Sequence, residues 1–172
     1  MTNKPILNKR SMYHQGYFTP NNPHKYIGNP TNIVYRSKWE RIFLNYLDKN
    51  PRIIRYASEE LIIPYISPID HKQHRYYIDF YLEVLQHDNS VKKYLVEIKP
   101  YDQTIPPKKK KSGIDESYIE KTKTYLINQA KWEATKELCK QKGYEFMIIT
   151  ENELFTKYNK INKKKRKRKY AS

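Results

Sequence analysis

Glu97 and Lys99 are separated by one residue in the strand-like run VEIKP, and Asp79 sits in an earlier one, YYIDFYLEVL. Side chains of an extended strand alternate between faces, so Glu97 and Lys99 project to one side while Val96 and Ile98 project to the other. Asp79 lies between Ile78 and Phe80, which with Tyr76 and Leu82 have the character of a core-facing stripe. If the two strands pair, the carboxylates of Asp79 and Glu97 come within one coordination sphere of a hard, oxygen-seeking cation. Mg²⁺ is the expected ion, with Mn²⁺ as a substitute. Such an ion orients and acidifies a water and neutralises charge on a phosphate under attack, while Lys99 positions that water or steadies the pentacovalent state. Two acids and a lysine are the minimum set for hydrolysing a phosphodiester. An E-x-K on a strand is often no more than a cross-strand ion pair. Here the preceding acid, the connecting turn and the lysine run after it take the reading further.

Other polar groups are candidates for supporting roles. Ser37 and Glu40 form an S-x-x-E capping box, which by itself explains an acid at that position. Lys72, His74 and Arg75 precede the Asp79 strand and suit phosphate contacts. Zinc is disfavoured, because His71 and His74 have no second cluster to complete a site and Cys139 is the single cysteine. Gln129 and Lys131 fit either a supporting role or a solvated helix face.

The elements that must position these groups follow from periodicity. SKWERIFLNYLDKN carries Trp39, Ile42, Phe43, Tyr46 and Leu47 at helical spacing, and Pro51 closes it. Residues 53–66 alternate in polarity and reach Pro64, which predicts a strand running into an edge or bend. SPIDHKQHR reads as a polar loop. YYIDFYLEVL and VKKYLVEIKP are joined by QHDNS, which predicts an antiparallel hairpin. Pro106, Pro107 and Gly113 make residues 101–115 a mobile basic loop. A long helix is expected from about Ser117 to Lys142, burying Ile119, Leu126, Ala130, Leu138 and Cys139, with Gly143 as its stop. YEFMIIT predicts a strand buried on both faces, and Thr150 with Glu153 caps a short helix through Leu154, Phe155 and Tyr158.

The charge is +16 over 172 residues, and its placement is uneven. Lys108, Lys109, Lys110 and Lys111 supply four positive charges. Eight more come from Lys160, Lys163, Lys164, Lys165, Arg166, Lys167, Arg168 and Lys169, which leaves +4 for the rest. A basic loop and tail release counterions on meeting phosphates, so a polyanion is the expected partner, with Lys165, Arg166, Lys167 and Arg168 at the heart of the tail contact. Residues 1–36 hold Pro5, Pro20, Pro23 and Pro30 without sustained periodicity and read as an extended arm. A single cysteine points to a reducing cytosol, with Cys139 as a small core residue. No apolar run reaches the roughly 18–20 residues of a membrane span.

Asp79 and Glu97–Ile98–Lys99 resemble the Asp…Glu-x-Lys signature of restriction-endonuclease-like nucleases. That resemblance implies an α/β (α+β) fold, a mixed sheet flanked by helices, and a metal that also takes the main-chain carbonyl of Ile98. Ile78 stands where this family often has proline. It further implies that a helical acid such as Glu40 joins the metal site, which leaves Glu40 open between ligand and cap. RSKWERIFLNYLDKNP, IPYISPIDHKQHRYYIDF, YLVEIKPYDQT and NQAKWEATKELCKQKGYEFMIITE, within residues 34–151, resemble the head completion nucleases of T-even-type tailed phages. The end-cutting nucleases of Tn7-like transposons are similar over the same core. The expected organisation is an arm at 1–36, a nuclease domain at 37–159 and a basic tail at 160–172. The implied activity is a Mg²⁺-dependent deoxyribonuclease, endonucleolytic and open to exonucleolytic action. Its substrate is double-stranded DNA and its protein partners are those of the phage portal or neck. It works in the host cytoplasm during assembly and stays at the head-tail neck of the virion. Three other readings stay open: a non-catalytic DNA-end-binding neck protein binds without metal, a basic RNA-binding protein prefers RNA and is indifferent to the acidic pair, and a transposase-type end-cutting endonuclease is the nearest nuclease alternative.

Overall fold

The computed structural model describes residues 15–109 and 113–155. Ten elements build it: β1 Gly16–Phe18, β2 Ile33–Tyr35, α1 Lys38–Lys49, β3 Ile53–Ser58, β4 Ile62–Ile66, β5 Gln73–Tyr77, β6 Phe80–Leu85, β7 Val91–Ile98, α2 Glu116–Lys142 and β8 Glu145–Ile149. A helical turn at 151–155 follows. The main sheet runs β3-β6-β7-β8, antiparallel except for the parallel β7–β8 pair that α2 connects, so it is a mixed sheet. The fold class matches expectation.

One face of this sheet is packed by α1. Phe43, Leu44 and Leu47 join Tyr56, Phe80, Leu82, Val96, Ile98 and Ile149 in one apolar cluster. The other face is packed by α2, where Cys139 meets Leu95, Ile63, Tyr65, Tyr76 and Ile78. Strand parity therefore decides the fate of the E-x-K residues: Val96 and Ile98 turn to the α1 side, and Glu97 turns to the α2 side.

The expected arm at 1–36 is corrected within the described residues. Residues 15–36 form β1 and β2, and Phe18, Tyr26 and Ile33 enter the α1-side cluster. Three anchors spread over sixteen positions leave no period to read in the sequence. What docks them is Asp48, which is fully buried and accepts hydrogen bonds from the backbone N–H groups of Asn21 and Asn22, each at 2.9 Å. The domain thus begins before residue 37. The tail at 160–172 lies outside the described residues.

The strand expected over residues 53–66 is two strands, and so is the strand through Asp79. β3 pairs with β6 down to Ser58–Phe80, and β4 pairs with β5 from Ile62–Tyr77. Between these rungs residues 59–61 face residues 78–79, a three-against-two mismatch that bends one long ribbon away from the main sheet. Glu59 takes φ 55 at this bulge. The supposed polar loop is shorter than expected, because Gln73, His74 and Arg75 belong to β5. Two further corrections concern the C-terminal part. On α2 Ile119 and Leu126 are exposed, whereas Asn128, Trp132, Thr135 and Cys139 are buried, because only the second half of the helix crosses the sheet. β8 is an edge strand with Met147 exposed, not a strand covered on both faces. Gly143 closes α2 in the left-handed region at φ 68, as a glycine stop should.

Candidate active site

Asp79 occupies the bulge itself, between β5 and β6, where the ladder to β7 is interrupted. Its main-chain carbonyl accepts from Glu59, and its carboxylate turns to β7 and accepts the N–H of Ile98 at 2.7 Å. A side chain thus replaces the rung that a continued strand would have made. Lys99 donates its N–H to Ile149 on the β8 side, so by strand alternation the N–H and carbonyl of Ile98 both face the β6 side, toward Asp79. Two carboxylates and one backbone carbonyl are thereby collected at the end of β7.

Glu97 is almost completely buried, at 1% exposure. Its Oε1 pairs with the Lys99 ammonium at 3.0 Å, and its Oε2 accepts a hydrogen bond from the Tyr76 hydroxyl. Burial first, and the charge of Glu97 next, push the Asp79 carboxyl well above its ordinary value, against the pull of Lys99 and the Ile98 N–H. Burial works against the Lys99 ammonium, but Glu97 and Asp79 hold its pKa above its ordinary value. Burial and the Glu97 charge raise the Tyr76 phenol, so it stays a donor. The pair of acids is short of positive charge, and Lys99 supplies only part of it.

Lys131 of α2 reaches the same place. Its ammonium lies over the rings of Tyr76 and Tyr65, 5.2 Å and 5.7 Å from their centroids. Burial and the charge of Lys99 lower its pKa, with Glu97 and Asp79 acting the other way. The sequence marked Lys131 only as one of two alternatives and read Tyr76 as core. The expected core-facing stripe is split by the bulge: Tyr76 and Ile78 lie on the α2 side with Glu97, whereas Phe80 and Leu82 lie on the α1 side, so no parity in the sequence marked Tyr76.

Glu40 is held as a cap. Its two oxygens accept from the Ser37 hydroxyl at 2.8 Å and from the Arg36 N–H at 2.6 Å, and Ser37 accepts the Glu40 N–H in return. Burial raises its pKa despite those bonds, and its charge is felt by both Asp79 and Lys99. Among the described residues no three His, Cys, Asp or Glu side chains converge to hold a metal, so Glu40 does not complete a third acidic ligand in this arrangement.

The structure does not gather the other candidates around the acids. His74 is engaged by Asp70 at 2.9 Å on the β4–β5 ribbon, Arg75 pairs with Pro64 on that ribbon, and Lys72 lies in its turn. The 101–115 segment starts with a helical turn at Tyr101–Gln103, and the N–H of Tyr101 donates to Glu151 at 2.9 Å, so its beginning is tied down. Lys108 and Lys109 follow this turn, whereas Lys110, Lys111, Lys165, Arg166, Lys167 and Arg168 lie outside the described residues. Among the described residues no helix is long and apolar enough to cross a membrane.

A mixed sheet flanked by helices, with Asp79 bonded to the E-x-K strand, is the arrangement that the resemblance to restriction-endonuclease-like nucleases implied. The family described as TnsA-like endonuclease N terminal matches residues 50–151, more than half of the chain and all of the main sheet. The chain belongs to the TnsA-like endonuclease family. This member is also 38% identical, over 151 residues, to the head completion nuclease of Enterobacteria phage T4, across 83% of this chain and 95% of that relative. As a TnsA-like endonuclease it is a nuclease with a restriction-endonuclease-like core, and Asp79, Glu97 and Lys99 all fall within the matched span.

Proposed function

We propose that this TnsA-like endonuclease is a divalent-metal-dependent nuclease of double-stranded DNA, acting on DNA ends during phage head completion and head-tail joining. The catalytic part rests chiefly on one observation, the hydrogen bond from the Ile98 N–H to Asp79, which ties that carboxylate to the strand carrying Glu97, Ile98 and Lys99. The two acids and the Ile98 carbonyl are all hard oxygen donors, and the raised pKa of Asp79 marks a site that favours added positive charge, so Mg²⁺ or Mn²⁺ fits them. Asp79, Glu97 and the Ile98 carbonyl would hold the ion. When bound, it supplies charge at the scissile phosphate and acidifies the attacking water.

The remaining work falls to the chain's own groups. Lys99 stays charged beside Glu97 and offers ammonium protons to the charge developing on phosphate oxygens. Tyr76 donates to the Oε2 of Glu97 and so orients the carboxylate. The head-completion role rests on the near full-length similarity to the phage T4 relative. It brings with it portal or neck proteins as partners, the host cytoplasm as the place of assembly and the virion neck as the final location. The basic runs that hold twelve of the excess positive charges supply non-specific DNA affinity.

The test is incubation of the purified full chain with linear and closed circular duplex DNA, with Mg²⁺, with Mn²⁺ and with chelator, beside Asp79→Asn and Lys99→Ala. Metal-dependent cleavage by the wild type, lost in both variants, supports the reading. Equal cleavage by wild type and variants, or cleavage in chelator, overturns it.

A further inference from the structure

We propose that Lys131 is a second phosphate-binding group of this site, holding a DNA backbone phosphate next to the one that Lys99 faces. The proposal rests on the reading of the chain as a DNA nuclease. Lys99 is committed, since its ammonium is paired with Glu97. Lys131 is not: among the described residues its ammonium has no hydrogen-bond acceptor and no ion-pair partner, only the faces of Tyr76 and Tyr65. An ammonium carries three donors, and this half-buried one has no protein acceptor for any of them, so they are open to an incoming anion. Cation–π attraction fixes the head group in advance, so little freedom is lost when an anion arrives.

The position of Lys131 also separates it from Lys99. Lys99 follows the end of β7, while Lys131 comes from α2 and reaches Tyr65 on β4. Tyr65 pairs with His74, further out along the ribbon than the Ile63–Tyr76 rung beside Glu97. The Lys131 ammonium sits between those two rungs, nearer the Tyr76 ring, and close enough to Lys99 to feel its charge. Two neighbouring phosphates of one DNA backbone answer both charges, one by each lysine. A ground-state contact of this kind contributes to DNA affinity and not to the chemical step.

The measurement is equilibrium binding of the full chain to a short duplex, in chelator, over a series of salt concentrations. Lys131→Met keeps the stem on the tyrosines and removes the charge; Lys131→Arg keeps the charge. The Met variant is expected to bind roughly tenfold more weakly at 0.1 M salt and to lose about 0.9 from the slope of log affinity against log salt, one phosphate contact. The Arg variant keeps the wild-type slope. In a cleavage assay with Mg²⁺, Lys131→Met raises KM several-fold and leaves kcat within about twofold. An unchanged slope in Lys131→Met, an equal loss in Lys131→Arg, or a fall in kcat alone overturns the subsite. A wild type that binds DNA with no salt dependence overturns the DNA reading itself, and the subsite with it.

Discussion

The phenol of Tyr76 donates to the Oε2 of Glu97, and the same ring lies beneath the Lys131 ammonium. One aromatic residue therefore serves an acid through its hydroxyl and a base through its face. Tyr76→Phe separates the two roles. Groups that orient a metal ligand cost about 10–100-fold in metal affinity or activity when removed. The Mg²⁺ concentration giving half-maximal cleavage should rise about tenfold, while DNA binding in chelator stays unchanged. A loss of DNA binding instead would place the effect on Lys131.

Asp79→Asn should abolish cleavage and stabilise the protein without metal. Asparagine keeps an acceptor for the Ile98 N–H and removes one of two neighbouring buried negative charges. A gain of about 1 kcal/mol, which for a chain of this size raises Tm by about 2–4 °C, is expected in chelator. Scanning calorimetry checks it, and a lower Tm than wild type sinks the idea that this site is strained by charge.

Asp48 should govern acid stability. Burial opposes its charge, yet the hydrogen bonds from Asn22 and Asn21 win and hold its pKa below the ordinary 3.8. A depressed carboxylate stabilises the fold fully above the ordinary value, and that contribution is lost as pH falls through the folded one. Asp48→Ala is expected to cost about 2–4 kcal/mol at pH 7, since it strips the acceptor from the docked N-terminal segment. Its deficit against wild type should shrink below about pH 4. Thermal unfolding across pH reads this directly; a deficit that does not change with pH contradicts it.

Glu40→Gln distinguishes cap from ligand. A capping Glu leaves activity within about threefold when replaced by Gln, which retains an acceptor for Ser37 or Arg36, and costs at most about 1 kcal/mol of stability. A metal ligand at this position would instead lose activity by orders of magnitude. Cleavage rates at saturating Mg²⁺ decide between them.

Much of the site could be read before the fold was known, because period-two alternation is a local rule. It placed Glu97 and Lys99 on one face, and the QHDNS turn brought the Asp79 segment alongside. What escaped was set by pairing between distant segments. The mismatch of residues 59–61 against 78–79 belongs to neither segment, so Asp79 looked like a strand residue when it is a bulge residue. Tyr76 looked like core because burial and hydrogen bonding to Glu97 leave the same trace in sequence. The docking of Asn21 and Asn22 on Asp48 crosses more than twenty positions with no period to announce it. On α2 a mix of charged and apolar residues around the helix obscured which face was inward, and Lys131 went with it.

The bond from Ile98 to Asp79 has a further meaning for how such a chain can vary. One carboxylate closes an open rung of the β-ladder and is also the proposed metal ligand. A lineage that lost cleavage by replacing Asp79 with a residue lacking an acceptor would at the same time unpair a backbone amide in the middle of the protein. Drift to an inactive form is thereby channelled toward asparagine or toward loss of Lys99, where the sheet survives, and an inert relative should still carry an acceptor at position 79.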